Sequence, residues 1–226
     1  MIREITDYIT SKTSLLNVTP EVTPNSQEWS MFTDAGTETE VGEFLYSITR
    51  MTKPLLVLET GTHIGVSASY IGLGMKKNKK GQLLTFEIIP QHFMNASKVL
   101  SDVGVTEHVK THLLDVGLFD PSPYVFDMLF LDSEPQLRFD EFTRLYPYLK
   151  PGGIILIHDL HPSLGHHGQT YHGTYDWPYG DFREKLGPYI KNHLVQTISF
   201  GTPRGLTMFQ KAAPHFEHVN HILGVL

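Results

Sequence analysis

Five short apolar runs, Leu55–Glu59, Leu83–Glu87, Val109–Leu114, Met128–Asp132 and Ile154–Asp159, alternate with stretches of helical periodicity at Val66–Met75, Gln91–Val103 and Phe139–Leu149. This alternation constrains the fold more than any other property of the chain. The runs are continuously apolar, so each strand has to be covered on both of its faces. Strands of that kind joined by helices form a parallel sheet. A further helix over Thr39–Met51 precedes the first strand, with Val41, Phe44, Leu45, Ile48 and Met51 at helical spacing and Pro54 closing it. A last helix, Asp181–Asn192, and two more strands, Leu194–Phe200 and Leu206–Lys211, complete the pattern. The expected class is α/β, a mostly parallel seven-stranded sheet with helices on both faces. The 226 residues suit one such domain. We place it at 39–212, between a helical and irregular extension over 1–38 and a tail over 213–226. The segment from His161 to Gly180, rich in His, Tyr, Gly and Pro, is expected to be a long loop.

Ligands of open parallel sheets bind at the carboxyl ends of the strands, near the point where strand order reverses. Each of the five apolar runs has an acidic residue at or just past that end: Glu59, Glu87, Asp115, Asp132 and Asp159. The first strand breaks into Glu59-Thr60-Gly61-Thr62-His63-Ile64-Gly65, where two glycines four residues apart let a ligand approach the main chain. The helix that follows turns its free N-terminal amides toward the same place. Dinucleotide folds use G-x-G-x-x-G there, whereas this chain has E-x-G-x-x-x-G. A carboxylate before the first glycine would repel a pyrophosphate and suits a cationic ligand. The formal net charge of -6 argues against nucleic acid as a partner and leaves a small or neutral one. There is no cysteine, so disulfides and thiolate metal sites are excluded. No apolar run has membrane-spanning length, and the N-terminus lacks the pattern of a signal peptide, so we expect a cytoplasmic protein with no membrane partner.

Taken together, VGEFLYSITRMTKPLLVLETGTHIGVSASYIG, GQLLTFEIIPQHFMNASKVL, FDMLFLDSEP and LKPGGIILIHDLHP resemble the class I S-adenosylmethionine-dependent methyltransferases, and among them the small-molecule O-methyltransferases related to the catechol and caffeoyl-CoA enzymes. The resemblance covers about Thr39 to Lys211 and implies a Rossmann-like fold. It implies that Gly61, Thr62 and Gly65, with Glu59 nearby, wrap the methionine part of the cofactor, and that Ser67 holds its carboxylate. Glu87 would accept hydrogen bonds from the ribose hydroxyls, and Asp115 with the Val116 amide would meet the adenine edge. Asp132 would lie beside the cofactor and, with Asp159, hold magnesium, a hard cation suited to paired carboxylates. Such a metal would lower the pKa of an acceptor hydroxyl.

Two departures from that pattern stand out. Leu160 takes the place where the metal-dependent relatives carry a coordinating Asn, and Pro135 the place of a catalytic lysine. Either Glu134, His158 or His161 fills the vacant metal position, or there is no metal and a histidine acts as general base. The catalytic candidates are therefore Asp132, His158, Asp159 and His161. Tyr171, Tyr175, Trp177 and Tyr179 either wall a ring-bearing substrate or pack the loop against the domain. A degenerate fold that only binds the cofactor or a partner is the competing expectation. The N-terminal arm and the apolar C-terminal end suit packing against a second subunit in a homodimer.

Overall fold

The computed structural model describes residues 4–17, 29–33, 36–160, 168–170, 173–175, 179–202 and 204–213. The helices are α1 (Glu4–Lys12), α2 (Thr39–Thr52), α3 (Val66–Asn78), α4 (Pro90–Val103), α5 (Arg138–Leu145) and α6 (Tyr179–Lys191). The strands are β1 (Leu56–Thr60), β2 (Gln82–Glu87), β3 (Val109–Leu113), β4 (Phe126–Leu131), β5 (Leu149–His158), β6 (Gly168–Thr170), β7 (Gly173–Tyr175), β8 (Val195–Phe200) and β9 (Leu206–Lys211). Seven of them form one sheet in the order β3-β2-β1-β4-β5-β9-β8. The pairs among β1 to β5 are parallel, while β9 runs antiparallel to both β5 and β8. The expected mostly parallel seven-stranded sheet is therefore present. Strand order reverses between β1 and β4, which opens a crevice at their carboxyl ends.

Successive strand residues point to opposite faces, and the core divides accordingly. Val57, Met128, Phe130 and Leu156 pack with α1 to α4, whereas Leu58, Leu129, Leu131, Ile155 and Ile157 pack with α5 and α6. Covering on both faces is the reason these strands read as unbroken apolar runs. Ile9 and Leu16 are fully buried in the first of these clusters, so the N-terminal helix is part of the same core.

Three expectations differ in detail. The helix expected over Phe139–Leu149 stops at Leu145, and a short 3-10 turn over Tyr146–Tyr148 follows. Pro147 has no amide to continue the helix, and Leu149 already pairs with Phe126 at the start of β5. The Pro151-Gly152-Gly153 segment lies inside the span of β5, where the register against β4 shifts between Phe126 and Met128 and Gly152 takes a φ of 75°. The segment from His161 to Gly180 is not loop throughout: β6 and β7 pair as an antiparallel hairpin, and α6 begins at Tyr179. Gly168 pairs there with Tyr175, Gln169 with Thr174 and Thr170 with Gly173.

Candidate functional site

The loop after β1 is tied to both of its neighbouring strands. The amides of Gly61 and Thr62 donate to the Phe86 carbonyl of β2, and the Asp132 amide donates to the Thr60 carbonyl. Gly61 has a φ of 79°, and a Cβ there would overlap the Asp132 carbonyl. Gly65, at φ 85°, precedes α3, and a Cβ there would come within 3.3 Å of the Ala96 Cα. Both glycines are thus required by conformation and by close approach of the chain.

Glu59 is fully buried beneath this loop. It accepts a 2.5 Å hydrogen bond from the Thr85 hydroxyl, which also pairs with the Thr62 hydroxyl at 2.6 Å. Its Oε1 has no hydrogen-bond partner among the described residues. Burial pushes its carboxyl up to about 8, with the Ser67 and Thr85 hydroxyls offsetting part of the effect. A buried carboxyl with a spare oxygen can hold a proton when the site is empty and a cation when it is filled. Beside it, Thr60 donates to the buried Glu141 at 2.8 Å and accepts from the Asp132 amide at 3.2 Å.

Glu87 closes β2 and accepts three backbone amides: Ile88 and Ile89 on Oε1, at 2.9 and 2.8 Å, and His63 on Oε2 at 2.7 Å. An ionised carboxylate offers about four lone-pair sites, so capacity remains for a ligand hydroxyl. His63 sits at φ 48° with its ring edge-on to His92, centroids 4.5 Å apart. Asp115 caps the 3-10 turn over Val116–Leu118 by accepting the Gly117 amide at 2.8 Å. Val116 accepts a hydrogen bond from Arg144 through its carbonyl.

The ends of β4 and β5 build a closed ionic network. His158, 1% exposed, bridges two carboxylates, with Nδ1 at 2.9 Å from Asp132 Oδ1 and Nε2 at 2.6 Å from Glu38 Oε2. Burial opposes its charge, yet Asp132, Asp159 and Glu38 outweigh that and push the imidazole up to about 10. Arg138 donates to Asp132 Oδ1 at 3.2 Å and to Asp159 Oδ2 at 3.0 Å, and also bonds the carbonyls of Ser133 and His158. Arg204 meets Asp159 through Nε at 2.7 Å and NH2 at 3.0 Å, while its NH1 reaches the Gly36 carbonyl at 2.9 Å. The Arg204 amide donates to Glu38 at 3.1 Å, and the Thr37 hydroxyl donates to Asp132 Oδ2 at 3.0 Å. Burial would raise the Asp159 carboxyl, but His158, Arg138 and Arg204 hold it well below the usual carboxylate range. Glu38, Asp132 and Asp159 are thereby balanced by Arg138, Arg204 and protonated His158.

This donor set bears directly on magnesium. One ligand atom each from Asp132, His158 and Asp159 lie within 4.8 Å of one another, the only such group among the described residues. Spacing alone would allow an ion. Every one of those side chains is already committed to a cationic or hydrogen-bonding partner, however, and Leu160 is buried with its carbonyl accepting from Thr207 at 2.7 Å. A divalent cation would have to enter beside three positive groups, and at an effective dielectric of about 20 two unit charges about 4 Å apart repel by about 4 kcal/mol. The residues present do not fit the metal. His158, likewise, has both ring nitrogens engaged by carboxylates.

Glu59 lies near the end of β1 with Gly61 and Thr62 just past it, Gly65 and Ser67 stand at the start of α3, Glu87 closes β2, Asp115 and Val116 follow β3, and Asp132 and Asp159 follow β4 and β5. His161 lies outside the described residues, as do Tyr171 and Trp177. Glu38, Thr37, Arg138 and Arg204 were not among the sequence candidates. Arg204 stands in the sequence Thr-Pro-Arg-Gly and Arg138 opens a helix, and neither context names a partner.

Residues 58–160 match the profile of a methyltransferase domain family. A "Putative O-methyltransferase" of Mycolicibacterium vanbaalenii is 29% identical over 129 residues, covering 52% of this chain and 53% of the relative. One of Mycobacterium avium is 26% identical over 129 residues, covering 52% and 54%. The chain thus matches about half the length of these curated relatives. Among solved structures, the SAH-bound Podospora anserina methyltransferase PaMTH1 aligns with a TM-score of 0.69 at 16% identity, covering 94% of this chain and 89% of that one. The O-methyltransferase TomG of Streptomyces achromogenes, in complex with SAM, aligns at 0.65 and 19% identity over 79% and 82%. The Bacillus cereus O-methyltransferase in complex with SAH aligns at 0.65 and 14% identity over 93% and 91%.

Proposed function

We propose that this chain is a class I S-adenosylmethionine-dependent methyltransferase that transfers methyl to a hydroxyl oxygen of a small-molecule acceptor; the methyltransferase-domain match over residues 58–160 and the fold shared with SAM- and SAH-bound methyltransferases support this reading. The observation that carries this reading is the Gly61–His63 turn. It is pressed against the Asp132 carbonyl on one side and hydrogen-bonded to Glu87 on the other, at the reversal point of the sheet.

When bound, the cofactor supplies an electrophilic methyl on a sulfonium sulfur. Glu87 would accept a ribose hydroxyl on the lone pair its three amides leave, and the loop from Gly61 to Gly65 would hold the methionine part. Glu59 sets a negative charge under the cationic end once its proton has left. Asp132, 13% exposed, faces the reacting groups and receives the acceptor's proton as the C–O bond forms and the C–S bond breaks. His158 and Asp159 are positioning residues: they fix Asp132 directly and through Arg138. Holding donor and acceptor in line accounts for roughly 7 to 11 kcal/mol of barrier lowering. No step is assigned to magnesium.

We propose in addition a cytoplasmic protein that can pair as a homodimer, with a small-molecule acceptor and with neither nucleic acid nor membrane as partner. No helix among the described residues is long and apolar enough to cross a membrane. The test is calorimetric titration with S-adenosylhomocysteine, followed by transfer of labelled methyl to a panel of hydroxylated acceptors. Saturable binding and labelled product are expected. Absence of cofactor binding by the folded protein would remove the reading.

A further inference from the structure

We propose that Arg138 and Arg204 take the place of a divalent cation between Asp132 and Asp159, so that the carboxylate pair is a metal-free, arginine-clamped centre. Its meaning for catalysis rests on the methyltransferase reading, but its chemistry stands on the ion network alone.

The two carboxylates close neighbouring parallel strands, and their oxygens converge on guanidinium groups from two different parts of the chain. Arg138, 5% exposed in its side chain, bridges Asp132 Oδ1 and Asp159 Oδ2 and so links the strand ends as a bridging cation would. Arg204, 16% exposed, engages both oxygens of Asp159 from the turn between β8 and β9. A guanidinium carries its donors in a rigid fork that matches a carboxylate, remains charged at any working pH and is more weakly hydrated than an ammonium. It can therefore do the electrostatic part of a cation's work in a buried site. It offers no open coordination position and so cannot bind a hydroxyl as a Lewis acid. Leu160 completes the argument, because its buried apolar side chain supplies no oxygen and hard cations require several.

Arg204 also ties this centre to the segment before α2. Its NH1 bonds the Gly36 carbonyl and its amide bonds Glu38, which in turn holds His158. The clamp thus uses four distant stretches of chain, around Glu38, Asp132 and Arg138, His158 and Asp159, and Arg204, each contributing one charge or more. A metal would leave those interactions without partners.

The test is a titration with Mn2+, followed by electron paramagnetic resonance and calorimetry, on the wild type, Arg204→Met, Arg204→Lys and Asp159→Asn. The wild type should show no saturable site that Asp159→Asn removes. Arg204→Met, which leaves Asp159 short of a cation, should acquire one, whereas Arg204→Lys, which keeps the charge, should not. A merely structural arginine would not separate Met from Lys in this way. A saturable wild-type site abolished by Asp159→Asn overturns the proposal, as does a folded Arg204→Met that gains nothing. If Arg204→Met fails to fold, the wild type with Asp159→Asn and the Lys variant decide. A thermal shift with S-adenosylhomocysteine, run in parallel, reports separately on the methyltransferase reading.

Discussion

Replacing Glu59 with Gln should remove one identifiable term from the pH dependence of stability between about 5 and 8. Glu59 is fully buried, and its carboxyl is raised from 4.5 to about 8 chiefly by desolvation. The folded protein therefore keeps a proton that the unfolded chain has already released between those two values. The contribution is fully present below 4.5 and is lost as pH rises through about 8. At about 1.4 kcal/mol per pKa unit, the shift corresponds to something on the order of 5 kcal/mol in all. Glutamine keeps an acceptor for the Thr85 hydroxyl, which bonds Glu59 at 2.5 Å, and has no ionisation to suppress. Urea unfolding of both proteins without cofactor, at about pH 5.5 and about pH 7.5, isolates the term because all other groups titrate alike in the two. The stability of Glu59→Gln relative to wild type should rise by about 2 to 3 kcal/mol between those pH values. Parallel stability profiles would refute the reasoning, since they would mean that Glu59 ionises in the fold as it does in the unfolded chain. The same proton should be released when the cationic cofactor binds.

Three further outcomes follow from the geometry. Gly61→Ala, which must hold a side chain at φ 79° against the Asp132 carbonyl, should lower stability by about 1 to 3 kcal/mol in urea unfolding and displace the β4 end. Unchanged stability would show that the turn relaxes. Glu87→Gln loses its charge while three backbone amides still need it, and S-adenosylhomocysteine affinity should fall about tenfold or more by calorimetry. Equal affinity would separate Glu87 from the ribose. His158, raised from 6.5 to about 10, holds a proton in the fold that the unfolded chain loses. Its stabilisation is complete below 6.5 and is lost as pH rises through about 10. In His158→Gln that alkaline decline should be shallower, and an unchanged decline between about pH 7 and pH 10 would show that the imidazole is not the bound cation.

Much of this architecture was legible from local chemistry. A strand covered on both faces must be apolar at every position, and a helix must repeat its apolar residues every three or four, so β1 to β5 and α2 to α4 announce themselves within a few residues of their observed ends. The acidic residues at those strand ends and the glycines at 61 and 65 were equally visible, because each is demanded by its own position. Where local rules compete, the reading strayed: periodicity ran on past Leu145, but Pro147 and the pairing of Leu149 with Phe126 ended the helix. The hairpin of β6 and β7 was missed because three-residue strands carry too few residues for a pattern.

The site itself was legible only in part. By itself the sequence determined the sheet and which acids close its strands, since these depend on neighbours along the chain. Only the tertiary structure decided what those acids do. Glu38 meets His158 across 120 positions, Arg204 meets Glu38 across 166, and Thr37 meets Asp132 across 95. Charge balance in a buried cluster depends on distances through space, where removal from water makes each unpaired ion costly. Asp132 and Asp159 look like metal ligands along the chain; once folded, they are the anions of an arginine and histidine network.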